Sequence, residues 1–169
     1  AQVENNGHTI EVSFKNPKNT LTIGDDVYKL QQFHFHAPSE NEIDGQTYPL
    51  EGHFVYKTDN GKITVISVLY NYGDENQALK QIWDKMPQAA NTETELSQPI
   101  SLDDFYPEDK DYYNFEGSLT TPPCTEGVNW IVFKNQETVS KEQVEKFTQT
   151  LGFKNNRPIQ DTNGRQIKE

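Results

Sequence analysis

Apolar and polar positions alternate over short stretches bounded by Gly, Asn, Asp and Pro. They predict strands at His8 to Phe14, Val27 to His36, Tyr48 to Lys57, Ile63 to Tyr72, Tyr112 to Ser118 and Val128 to Lys134. The most apolar of these, Ile63 to Tyr70, is broken by Thr64 and Ser67 and is far shorter than the roughly 20 residues of a membrane helix. Asp59-Asn60-Gly61 between two alternating runs predicts an antiparallel hairpin with a primed turn. A period of 3.6 shows only twice. Leu79, Ile82, Trp83 and Met86 follow Asp74 as N-cap and stop before Pro87. Val144, Phe147 and Leu151 follow a Ser140 to Gln143 capping box and end at Gly152. Gln88 to Pro99 is polar and expected to be a loop. The expectation is one domain over residues 1–169, mainly β, with a large twisted, mostly antiparallel central sheet and a few peripheral helices. Doubly wound and bundle folds would need more helices.

Composition narrows the function. The 15 Lys and Arg against 26 Asp and Glu give a formal net charge of −11, and the basic residues are scattered. Such a surface repels phosphate backbones, which argues against nucleic-acid binding. Low mean hydropathy is offset by 11% aromatic residues, enough core material for a folded chain. The single cysteine, Cys124, offers neither an internal disulfide nor a paired thiol site, leaving histidine and carboxylate as metal-ligand chemistry. Ala1-Gln2-Val3-Glu4 carries no leader signature.

Four histidines, His8, His34, His36 and His53, carry the chemical signal. In a strand, residues i and i+2 share a face about 6.6 Å apart, so His34 and His36 can reach one ion while Phe33 and Phe35 cover the other side. His53 in the next run can return a third imidazole alongside. Gln32 shares parity with the pair and Glu51 with His53, which supplies acceptors for the rings' remaining N–H groups. Three neutral imidazoles suit Zn2+ and leave a fourth tetrahedral position for solvent, the pattern of a catalytic site. An isolated His-x-His can equally be a pair of polar surface residues. His34-x-His36-x3-Glu40 also fits the first motif of the cupins, which bind iron or manganese, but the second cupin motif fits Pro49 to His53 poorly.

Gln32-Phe33-His34-Phe35-His36, Glu51-Gly52-His53 and Gly117-Ser-Leu-Thr-Thr-Pro-Pro123 together resemble the α-class carbonic anhydrases. The resemblance extends from Asn5-Asn-Gly-His8 through Trp130-Ile-Val-Phe133 to Asn156-Arg-Pro158 and Arg165-Gln-Ile-Lys168, in the family's order. His36-Ala-Pro-Ser-Glu40-Asn41 is most similar to the secreted bacterial branch. The resemblance implies zinc-dependent reversible hydration of carbon dioxide to bicarbonate and a proton. It assigns His34, His36 and His53 as zinc ligands, Gln32 and Glu51 as their acceptors, Thr120 and Glu40 as an orienting pair, and His8 as proton shuttle. Val55, Val65, Leu119, Val128 and Trp130 would line an apolar carbon dioxide pocket, with Thr121 beside the substrate.

The family's usual first segment, with its Gln-Ser-Pro element, has no counterpart in this sequence, and in secreted bacterial members its cysteine pairs with the one at Cys124. The chain is therefore expected to be a fragment, its partner being that segment or a second copy of the chain. A periplasmic or secreted location is implied by the same resemblance. A catalytically impaired fragment, a binding relative of the same fold and a cupin are the rival readings.

Overall fold

A computed structural model describes residues 1–169. Its strands are β1 (Gln2–Asn5), β2 (Ile10–Ser13), β3 (Thr20–Ile23), β4 (Asp26–His36), β5 (Glu42–Ile43), β6 (Gln46–Thr47), β7 (Leu50–Lys57), β8 (Ile63–Tyr72), β9 (Thr92–Glu95), β10 (Tyr112–Ser118), β11 (Glu126–Phe133) and β12 (Glu137–Val139). Two helices interrupt them, α1 (Gln77–Trp83) and α2 (Lys141–Leu151). One sheet dominates, in the order β10-β11-β8-β7-β4-β2-β1-β9, with β3 beside β4 and β12 beside β8; β5 and β6 form a separate small hairpin. All pairings in the large sheet are antiparallel except β11 and β12 against β8. The mainly β, mostly antiparallel architecture follows the hydrophobic pattern, and β4 and β7, the histidine strands, lie centrally.

The sheet has two unlike faces because side chains alternate along the paired stretches of its strands, from Gln32 to His36 on β4 in particular. Phe33, Phe35, Phe54, Ile66, Val68, Ile10 and Val12 project to one side, all buried in the main core. Phe33 stacks on Phe54 at 4.8 Å, Phe35 meets Trp83 of α1 edge-on at 5.0 Å, and Trp83 stacks on Phe147 of α2 at 5.7 Å. This aromatic layer holds both helices on the sheet and backs the histidine strands. No helix of the chain is long and apolar enough to cross a membrane.

Three local expectations change. The cap of α1 is Asn76, not Asp74: its Oδ1 accepts from Leu79 N at 3.0 Å, while Gln143 at the start of α2 bonds both its main-chain N and O. Gln143 thus ties the two helix N-termini together, and Met86 lies beyond the helix end yet stays buried. Within Gln88 to Pro99, β9 pairs with β1 at the sheet edge, where exposure on both faces removes the alternation that would reveal it. The Asp59 to Gly61 hairpin closes through Gly61 N to Thr58 O and Thr58 N to Lys62 O, with only Gly61 at positive φ. This is a three-residue loop with a glycine bulge instead of a two-residue primed turn. The capping box of α2 and the left-handed Gly152 stand as expected.

Candidate metal centre

Register, not proximity in sequence, assembles the site. His34 on β4 pairs directly with His53 on β7, and His53 with Ser67 on β8. His36 completes the group two residues along β4. One ligand atom from each of the three rings lies within 4.8 Å of the others. His36 and His53 are buried, His34 partly so, on the face opposite the aromatic core.

Each ring turns one nitrogen toward an acceptor. His34 Nδ1 donates to Gln32 Oε1 at 2.7 Å, and His36 Nδ1 donates to the main-chain carbonyl of Asn155 at 3.0 Å. A carbonyl oxygen only accepts, so His36 carries its proton on Nδ1 and presents a lone pair at Nε2. His53 Nε2 lies 3.0 Å from Glu51 Oε1, off the line of an ideal hydrogen bond, which leaves Nδ1 facing inward. His36 Nε2 and Glu40 Oε1 are buried, without a hydrogen-bond partner, and only 3.2 Å apart. Glu40 Oε1 is also 3.9 Å from His53 Nδ1. Buried acceptors converging with no donor between them are what a cation resolves. Imidazole nitrogens with a carboxylate nearby suit Zn2+, so the donor set fits that ion.

Electrostatics point the same way. Burial, and after it the neighbouring rings, pushes the His34 imidazolium well below the ordinary histidine range and that of His36 to about 3, so both lone pairs are free at neutral pH. Burial alone would raise Glu51, but the facing His53, in polar contact with it, and hydrogen bonds from Asn41 and Ser67 together hold it at about 2. His53 is depressed by burial yet raised overall by the carboxylates of Glu51 and Glu40, a negative field that favours any bound cation.

The other residues singled out from sequence distribute around this centre. Thr120 and Glu40 line one cavity of about 350 Å3, and the Thr120 hydroxyl acts on the Glu40 carboxyl. Glu40 Oε2 accepts from Arg157 N. Val65, Val128 and Trp130 form a buried cluster against which Val55 and Leu119 pack, and the Trp130 ring meets His53 edge-on at 4.9 Å. Val55, Val65 and Trp130 fall in one cross-strand row, next to the row of His34 and His53. Thr121 is exposed, its carbonyl accepting from Cys124 N. Exposed His8 sits in the turn between β1 and β2, its carbonyl bonded by Asn155 Nδ2, which also bonds Phe35 O on the histidine strand β4.

Sequence reasoning missed Asn155, Asn41, Ser67 and the main-chain amide of Arg157. Asn155 lies 119 residues from His36, and nothing local signals that distance. Ser67 did leave a trace, as a polar residue inside the most apolar run.

The whole chain, residues 1–169, matches the family model described as eukaryotic-type carbonic anhydrase. It is 48% identical to a carbonic anhydrase of Neisseria gonorrhoeae over 167 residues, covering 99% of this chain and 66% of that one. Against a carbonic anhydrase of Pectobacterium carotovorum it is 47% identical, covering 98% and 68%. The α-carbonic anhydrase of Thermovibrio ammonificans, solved with the inhibitor sulfanilamide, superposes with a TM-score of 0.96 at 46% identity, covering 99% and 74%. The chain thus spans about two thirds of the length of the curated relatives it matches. A three-histidine centre on the middle strands of such a sheet, matched over every residue, establishes that this chain belongs to the α, or eukaryotic-type, carbonic anhydrase family.

Proposed function

We propose that the chain carries a zinc site for the reversible hydration of carbon dioxide to bicarbonate and a proton. The observation that carries this reading is the convergence of three imidazole lone pairs on one buried point beside Glu40 and an apolar cluster. Zinc, when bound by His34, His36 and His53, supplies the Lewis acidity that makes water nucleophilic near neutral pH, carbonic anhydrase being the standard instance.

The chain's own groups do the rest. Gln32 Oε1, Asn155 O and Glu51 fix the three ring tautomers, so the nitrogens that face inward are acceptors. The Thr120 hydroxyl commits its hydrogen to Glu40, so its oxygen can only accept. It is thereby placed to accept a hydrogen bond from the attacking water's O–H, which turns an oxygen lone pair toward the substrate carbon. Glu40 is kept in place for this by Arg157 N. Val55, Val65, Leu119, Val128 and Trp130 form an apolar wall that suits uncharged carbon dioxide and not anionic bicarbonate, which favours release of product to water. His8 takes up the released proton and passes it to buffer, a role suited to a solvent-exposed imidazole.

The test is zinc stoichiometry together with a carbon dioxide hydration assay and its inhibition by sulfanilamide. One zinc per chain with inhibitable hydration is expected; a chain that takes up no zinc, or takes it up without hydration, refutes the reading. Cys124, half-buried and at positive φ, is proposed to pair with a cysteine of a covering segment outside this sequence. The greater length of the relatives supports this, as the similarity of His36-Ala-Pro-Ser-Glu40-Asn41 to the secreted bacterial branch supports a periplasmic or extracellular location. Cell fractionation and non-reducing mass analysis test both.

A further inference from the structure

The centre has an outer tier that the family assignment leaves unused. Ser67 is fully buried in β8, among Val65, Ile66, Val68 and Leu69. Its register partner is His53, and its hydroxyl donates to Glu51 Oε2 at 2.7 Å. Nothing about strand or core formation asks for a hydroxyl there; valine or alanine would serve the sheet as well.

The two oxygens of Glu51 are divided by donor type. Oε1 accepts from the main-chain amides of Glu40 at 2.9 Å and Asn41 at 3.1 Å, and faces His53 Nε2 at 3.0 Å. Oε2 accepts only from side chains, Ser67 Oγ at 2.7 Å and Asn41 Nδ2 at 2.9 Å. Rotation of the carboxylate about its last bond is therefore held at both ends, by main-chain amides on Oε1 and by side chains on Oε2, and that rotation decides where Oε1 meets the His53 ring.

We infer that Ser67 is a positioning residue for the metal centre, fixing through Glu51 the orientation of His53. This rests on the reading of His34, His36 and His53 as the zinc ligands. Groups one step outside the ligands change metal affinity by about 10- to 100-fold when removed. Ser67 stands one step further out, which places it near the lower figure.

The experiment compares wild type, Ser67→Ala and Ser67→Thr, each loaded with zinc, by the rate of zinc transfer to an excess of dipicolinate. Parallel cobalt-substituted samples report ligand geometry through their visible bands. Expected are a roughly 10-fold faster release and displaced cobalt bands for Ser67→Ala, with Ser67→Thr, which keeps the hydroxyl, restored toward wild type. Release within twofold of wild type and superimposable bands overturn the inference, even if Ser67→Ala melts at lower temperature, since that result assigns Ser67 to packing alone. Should the threonine methyl prevent folding, Asn41→Ala replaces it. That variant removes the other Oε2 side-chain donor and is expected to speed release as well; unchanged release overturns the proposal equally. A wild-type chain that takes up neither zinc nor cobalt refutes the underlying reading, whereas a zinc-holding wild type with an indifferent Ser67→Ala refutes this inference only.

Discussion

Gly52 separates Glu51 from His53, and the structure gives a spatial reason for it that a single substitution can test. Its backbone is ordinary strand, so no left-handed conformation demands glycine. It pairs with Phe35 on one side and Val68 on the other. A Cβ placed there would lie 3.3 Å from Phe35 Cε1, 3.5 Å from Phe35 Cδ1 and 3.5 Å from Phe54 Cε2. Two effects of Gly52→Ala then compete. Loss of unfolded-state freedom stabilises by about 0.4–1 kcal/mol, while overpacking a filled core costs about 1–3 kcal/mol. The second wins only if Phe35 cannot retreat. Phe35 is fully buried and wedged against Trp83 at 5.0 Å, Phe33 at 5.9 Å and Phe147 at 6.4 Å, so it has nowhere to go. The net expectation is a loss of about 0.5–2 kcal/mol, and a melting temperature lower by about 1–8 °C for a domain of this size. Urea and thermal unfolding of the metal-free chain measure it. Adding Phe35→Leu should recover part of the loss, a coupling that a double-mutant cycle isolates. A Gly52→Ala protein as stable as wild type or more so would refute the reasoning, because the entropic gain would have gone unopposed.

His36→Ala should abolish zinc retention, measured by metal analysis after gel filtration, and with it hydration activity. His8→Ala should slow turnover at low buffer and recover with added imidazole; failure of that rescue removes the shuttle role. Tyr70→Phe should be neutral or slightly stabilising in urea unfolding, since the Tyr70 hydroxyl is buried with no partner and its removal takes away an uncompensated group. Ser140→Ala should cost about 1 kcal/mol by loss of the α2 cap. Burial raises the carboxyl pKa of Glu137, so its charged form burdens the folded state at neutral pH. Glu137→Gln should therefore stabilise at pH 7, and the gain should fade as pH falls through the raised folded value and vanish below the unfolded value near 4.5. Thermal melts across that range read it directly.

What was legible in the sequence was whatever a period of two or 3.6 could carry. Ile63 to Tyr72 and Tyr112 to Ser118 coincide with β8 and β10 because both strands are bounded by turn residues. The shared face of His34 and His36 follows from parity alone. Edge strand β9 escaped because Thr92-Glu-Thr-Glu95 has no buried face to alternate with. Asp74 and Asn76 are both sound caps by residue type, and the choice between them is made by Gln143, 67 residues away. The partners of the histidines divide in the same way. Gln32 and Glu51 sit two residues from the rings they serve, whereas Asn155 and Ser67 reach theirs only through the finished sheet.

That division has a consequence for how the centre forms. His34 is oriented by a side chain of its own strand, so its tautomer is settled once β4 is extended. His53 needs Glu51 from its own strand, but Glu51 needs Ser67 from β8 and the amides of residues 40 and 41 after β4, hence three neighbouring segments already paired. His36 waits longest. Its proton is fixed by Asn155 O, and the Asn155 side chain simultaneously bonds Ala37 N, Phe35 O and His8 O. Arg157 N on the same segment holds Glu40. The segment after α2 therefore couples His36, the Glu40 carboxylate and the turn that bears His8, and this arrangement needs that segment docked. A group of functional residues tied to one late-joining segment is lost together if it detaches, while the aromatic core on the other face, which it does not supply, can persist.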